Sequence, residues 1–223
     1  MKERPIFFSA PMAKAIRDRR KTQTRRIIKP QPPIHCSGPA MPSLTVKGAW
    51  DFGWPEDAPA KLRNFPLTCP YGVPGDRLVF LCGWATEKRY NKTKPSALPT
   101  TARIWTYFDG DEKPEWCGRI RMGRHMPGWA RAKMPRGDVT DVRVQRVQEI
   151  SEDDAIAEGI QGREAFPANH PDGVLIAPSE AFLRLFYDIN KRAPRGENPW
   201  VFAITFAPVQ PAMSMTVRTG AAR

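Results

Sequence analysis

Apolar residues recur at every second position near the end of the chain. In PWVFAITFA, residues 199–207, this alternation sets Trp200, Phe202, Ile204 and Phe206 on one face of a predicted strand. VTDVRVQRVQE, residues 139–149, alternates at Val142 and Val144 and slips by one at Val147, which predicts a strand with a bulge. GDRLVFLCGWA, residues 75–85, opens on a turn and continues as a nearly unbroken apolar run, the pattern of a strand buried on both faces. RPIFF, residues 4–8, reads as a short first strand.

Helical spacing shows in three places. Ser9 reads as an N-cap with Pro11 in the first turn, and Met12, Ala13 and Ile16 fall on one face. The basic run that follows reads as the helix end and the turn beyond it. Ser151 is a second N-cap, with Asp154 as its box partner and acidic residues crowding the first turn. That helix is expected to stop near Gly159 or Gly162. A third helix is predicted from Ser179 to Asn190, with Phe182, Leu183, Phe186 and Ile189 as its apolar stripe.

Between these elements lie two long stretches without clear periodicity. Residues 30–74 are rich in Pro and Gly, and residues 86–137 are basic and set with Tyr90, Trp105, Tyr107, Phe108, Trp116 and Trp129. Both read as irregular insertions into one domain spanning residues 1–209, with residues 210–223 as a flexible tail. Few strands, few helices and long insertions point to an α+β fold built on a small mixed β-barrel. Strands and helices do not alternate, which argues against a doubly wound sheet.

Composition then narrows the function. The 223 residues carry a net charge of +12, and hydrophobic residues make up 41%. The excess sits in two blocks: residues 1–30 hold ten Lys/Arg against two Asp/Glu, and residues 86–136 hold twelve against five. Such a surface attracts polyanions. In the second block, Lys88, Arg89, Arg119, Arg121 and Arg124 are the expected nucleic-acid surface, because cations interleaved with aromatic rings suit phosphates and stacked bases. No apolar run approaches the ~20 residues of a membrane span, and the four-residue apolar run near the N-terminus is too short for a signal peptide, so a cytoplasmic protein without membrane contact is expected. Cys36, Cys69, Cys82 and Cys117 lie far apart without a CxxC pair, and read as buried or free thiols rather than zinc ligands. No GxGxxG follows a strand, and neither a Walker A sequence nor GxSxG is present, so no cofactor or metal is expected.

Two features ask for chemistry. RDRRKTQTRR, Arg17–Arg26, packs cations around Lys21, Thr22 and Thr24. A helix C-terminus favours cations, which accounts for Arg19, Arg20 and Lys21 but not for Arg25 and Arg26 beyond it. Glu158 is the other. It lies in the last turn of its helix, where the dipole disfavours a carboxylate, and shares a face with Ala155.

RRKTQTRR (Arg19–Arg26), CPYGVPGDRL (Cys69–Leu78), VTDVRVQRVQEI, SEDDAIAEGI and NPWVFAITF together resemble the ASCH family, whose fold is a PUA-like β-barrel, and are most similar to phage- and prophage-encoded members. The matched segments cover roughly half the chain; as an ordered set they are specific, whereas KTxTR alone would be weak. Small members of the wider family are amidohydrolases that deacetylate N4-acetylcytidine. The resemblance implies Lys21, Thr24 and Glu158 as the catalytic set, with Arg20, Thr22, Arg25 and Arg26 on substrate or phosphate. Lys21 would take the Thr24 proton, and Glu158 would serve the leaving amine or orient Lys21. Similar phage proteins follow PGDRL with a Trp-x-Arg-Glu-like segment, where this chain has Val79, Phe80, Leu81 and Cys82. Three functions follow as expectations: an RNA- or nucleoside-binding module, a hydrolase of a modified nucleoside with ribonuclease as a variant, and a phage-encoded factor that engages a host protein.

Overall fold

The computed structural model describes residues 1–32, 40–42, 48–52, 67–161, 176–191 and 196–209. The expected tail at 210–223, Gly162 as a helix stop, and much of the first insertion lie outside them.

Five strands form the main sheet in the order β1-β6-β9-β10-β2. They are β1 (Glu3–Phe7), β2 (Gln23–Ile27), β6 (Arg77–Leu81), β9 (Arg136–Arg146) and β10 (Trp200–Val209). β1 runs parallel to β6, and every other pairing is antiparallel. Helix α1 (Ala10–Arg17) carries the chain from β1 at one edge towards β2 at the other. Its buried Ala13, Ala15 and Ile16 are the face it turns to the sheet.

β10 lies between β9 and β2, and both of its faces are buried along Trp200–Ile204. Trp200, Phe202, Ile204 and Phe206 join Ile6, Phe8, Phe80, Val142 and Val144 in the larger core, as their alternation predicts. Val201 lies on the other face, packed with Ala155, Phe182 and Phe186 of the two helices that cover it. Those helices are α3 (Glu152–Ala157) and α4 (Pro178–Ile189). On α4 the buried stripe includes Ala181 and Tyr187, whereas Ile189 is exposed, contrary to its expected place in the core. Gly137 of β9 allows the closest ring packing. A Cβ there would stand 2.4 Å from the Phe80 ring and 3.2 Å from Phe206.

Four sequence expectations are revised. The sheet is not a closed barrel, because β1 and β2 are its edges among the described residues. Those edges come close: Arg26 Nη2 of β2 donates to Phe7 O of β1 at 2.6 Å. The mixed α+β organisation with few helices is as predicted. The bulge in β9 lies at Thr140, which is skipped between Thr205↔Asp141 and Phe206↔Val139; Val147 instead begins a one-turn 3-10 helix. The first insertion holds a small antiparallel sheet of β3 (Ala40–Pro42), β4 (Ala49–Phe52) and β5 (Leu67–Thr68). These strands are too short for periodicity to register, yet Trp50 of β4 reaches the main core, its ring 5.7 Å from Phe202. Finally, residues 23–27 are a strand rather than a turn.

The second insertion is held by its own small cores. Strands β7 (Trp84–Thr86) and β8 (Ile104–Thr106) pair, and α2 (Gly128–Arg131) adds Ala130 to a cluster with Trp84, Leu98, Met126 and Met134. Trp105 is buried with Cys117, so this ring is packing rather than a stacking platform. Cys69, Cys82 and Cys117 are buried free thiols. Among the described residues no helix is long and apolar enough to cross a membrane.

Candidate functional site

β2 has no apolar alternation, and its burial is achieved by ion pairing instead. Thr22, just before it, ties into two neighbours: its amide donates to Ala157 O at 2.8 Å, and its carbonyl accepts from the Phe206 amide at 2.8 Å. Within the strand, side chains alternate sides. Gln23 and Arg25 face helix α3, while Thr24 and Arg26, opposite Ile204 and Phe202, face the interior of the curled sheet.

Lys21 precedes the strand and is wholly buried. Its Nζ donates to Glu158 Oε2 at 2.6 Å and to the Glu158 carbonyl at 2.8 Å. Glu158 is the C-cap of α3, and Gly159 follows it at φ +94°, a left-handed turn that suits glycine. The helix end thus supplies both a carbonyl and a carboxylate to one ammonium. The dipole penalty that marks Glu158 in the sequence is answered by the buried cation. Burial pushes the Lys21 ammonium below the ordinary lysine range; Glu158 opposes this, while Arg26 and Arg25 add to it.

The network extends along α3. Arg25, whose side chain is fully buried, donates from Nη1 to Gln23 Oε1 at 2.5 Å and to Glu158 Oε1 at 3.3 Å, and from Nη2 to Asp154 Oδ2 at 2.6 Å. Gln23 Nε2 donates to Asp154 Oδ1 at 3.0 Å, and Arg143 Nη2 reaches both Asp154 oxygens at 2.9 and 3.0 Å. Burial alone would raise the Asp154 pKa, but donors from Arg143, Gln23 and Arg25 hold the carboxyl below its usual range. Asp154 therefore does not close a capping box, although Ser151 Oγ does accept the Asp154 amide at 3.1 Å. Asp154 and Glu158 lie four residues apart on one helical face, and together they take up the cations of β2.

The structure sorts the candidate residues. Lys21 and Glu158 meet. Thr24 is buried on the interior face, and among the described residues no hydrogen bond joins its hydroxyl to either of them. Arg25 is not available to a phosphate, because its terminal nitrogens donate to α3 and Gln23 and its Nε, which has no acceptor, is buried. Arg20 braces the loop through Gly159 O and Asp18, each at 3.3 Å. Arg26 is half-buried over the rings of Phe8 and Tyr71, with centroids at 5.3 and 5.9 Å. Thr22 turns away from this centre and lines a cleft beside α1.

On the second insertion Lys88, Arg89, Arg119 and Arg124 are exposed. Arg121 is not a surface cation. It is buried over Trp84 and clamps two loop carbonyls, Tyr90 O at 2.5 Å and Thr93 O at 2.9 Å. Gln23, Asp154 and Arg143 were not legible as members of the site. Their one signal is spacing: alternate polar residues on a strand facing acids four apart on a helix. Among the described residues no cluster of His, Cys, Asp and Glu could hold a metal ion. Compared with protein-family models, curated proteins and solved structures, the chain finds no match.

Proposed function

We propose that this chain is a PUA-like protein of the ASCH type that binds RNA or a nucleoside in the cytoplasm. The observation that carries the reading is the contact between Lys21 Nζ and Glu158 Oε2 at 2.6 Å. It joins residues 137 positions apart that the family resemblance pairs, and one of them, Glu158, is singled out independently by the helix dipole. The half-buried Arg26 guanidinium over Phe8 and Tyr71 adds a cation and aromatic rings beside that centre, a combination suited to a base and its phosphate. The exposed Lys88, Arg89, Arg119 and Arg124 extend the attraction to a polynucleotide. The test is titration with cytidine and with a short single-stranded RNA across a salt series. Saturable binding that weakens as salt rises, and is lost in Arg26→Gln, supports the reading. Folded protein that binds neither ligand refutes it.

A second reading, amide hydrolysis on an N-acylated cytidine, is favoured by the lowered Lys21 ammonium pKa. Neutral Lys21 would take the proton of the Thr24 hydroxyl as its oxygen bonds to the acyl carbon. The C–N bond then breaks, and the departing amine receives a proton by way of Glu158. Water finally releases the acyl group from Thr24 as a carboxylic acid. Since Lys21 is fully buried and Thr24 nearly so, this chemistry requires the site to open for substrate. Incubation with N4-acetylcytidine tests it: cytidine release lost in Thr24→Val supports hydrolysis, whereas binding without turnover leaves the binding function alone.

A further inference from the structure

A cleft of about 400 Å³ lies beside the C-terminal end of α1, apart from the Lys21–Glu158 centre. Arg17, Arg19, Thr22 and Arg136 line it together with the apolar Phe108 and Pro135. The charged side chains in its lining are all guanidinium groups. Two are held in place by carboxylates without being used up. Arg17 donates from Nε to Asp18 at 3.1 Å and from Nη2 to Asp111 at 2.9 Å. Arg136 donates from Nε to Glu3 at 2.8 Å and from Nη1 to the carbonyls of Ala132 and Met134. Among the described residues, Arg17 Nη1 and Arg136 Nη2 have no protein acceptor, and none of the Arg19 side-chain nitrogens has one; its backbone amide donates to Ile16 O. Arg19 is exposed and sits at φ 59°, a left-handed conformation that is strained for a non-glycine residue.

We infer that this cleft binds a phosphomonoester attached to a flat ring, of the nucleoside monophosphate class. Guanidinium forks match phosphate oxygens, and those fixed in advance by carboxylates lose little freedom on binding. The Thr22 hydroxyl adds a donor. Phe108 and Pro135 offer an apolar wall for the ring, and the volume suits a ligand of that size. The inference does not rest on the Lys21–Glu158 reading, since the two sites share no residue.

The experiment is calorimetric titration of the full chain with adenosine monophosphate, adenosine and inorganic phosphate. Adenosine monophosphate should bind saturably and at least about tenfold more tightly than adenosine. Arg19→Gly should weaken it by a similar factor while leaving the fold intact, because glycine relieves the left-handed strain. Phe108→Leu should weaken adenosine monophosphate more than phosphate. Equal binding of adenosine and its monophosphate, undiminished binding in Arg19→Gly, or no saturable binding would overturn the inference.

Discussion

Replacing Lys21 with methionine removes one buried charge and strands another. The wild-type ammonium is fully enclosed and gives Glu158 Oε2 its contact at 2.6 Å. In Lys21→Met the carboxylate keeps only Arg25 Nη1, at 3.3 Å. Breaking one partner of a buried pair costs about 3–5 kcal/mol. For a domain of this size each kcal/mol moves the melting temperature by roughly 2–4 °C, so a fall of roughly 6–20 °C is expected. Lys21→Met combined with Glu158→Leu removes both charges and leaves Arg25 its bonds to Asp154 and Gln23. That double variant should recover more than half of the loss, since paired charges exchanged together for apolar groups cost little. The effect also carries a pH sign. With the folded-state Lys21 pKa below the reference 10.5, the unfolded chain binds more protons between the two values. The wild-type contribution therefore grows as pH rises through that window, and the gap to Lys21→Met widens. Urea denaturation of the three proteins across pH measures all of this. A single variant that loses less than about 1 kcal/mol, or a double variant no better than the sum of its parts, refutes the reasoning.

Asp154→Asn should destabilise the fold at neutral pH by about 1–3 kcal/mol, because the contacts from Arg143, Gln23 and Arg25 lose their charge. Its deficit should shrink in acid: the Asp154 contribution is complete above the reference value of 3.8 and is lost as pH falls through the lower folded value, which thermal melts across pH will report. Gly159→Ala forces a left-handed φ on alanine and brings its Cβ to 3.1 Å from Ala15 and 3.2 Å from Lys21, so a loss of at least about 1–2 kcal/mol is expected in chemical denaturation. The Cys69 and Cys82 thiols, pushed by burial up to about 12 and about 11, should resist alkylation at pH 8 in native protein and react on unfolding, as peptide mapping by mass spectrometry would show.

The elements that the sequence disclosed are those whose burial is hydrophobic. β10, β6 and the apolar half of β9 show the alternation or the unbroken runs that a packed sheet demands, and α3 carries its N-cap and terminal glycine in plain view. β2 does not show in the sequence because Gln23 and Arg25 are buried by polar contacts made across the fold, and a local pattern cannot register a partner 129 positions away. The same limit hid Asp154, whose place in a first helical turn already had a local explanation. Glu158 was visible for the opposite reason, since its local setting was unfavourable and called for a distant cation. Arg121 resembles a surface cation by charge alone, whereas its buried guanidinium serves the loop carbonyls of its own insertion. The bulge was placed at Val147, where the apolar pattern slips, but the extra residue is Thr140, polar on a polar stretch and silent in that pattern.

The composition of β2 has a consequence for how molecules of this protein behave towards one another. Among the described residues β2 is an outer strand, and the far side of such a strand is a template on which another chain can extend the sheet. An incoming strand would have to lie against half-buried Arg26, with the exposed Lys29 just beyond. It would also have to leave undisturbed an arginine whose hydrogen bonds depend on α3. Cations at a sheet margin discourage that kind of growth. The ionic character that conceals the strand in the sequence thus also limits sheet-to-sheet aggregation in concentrated solution.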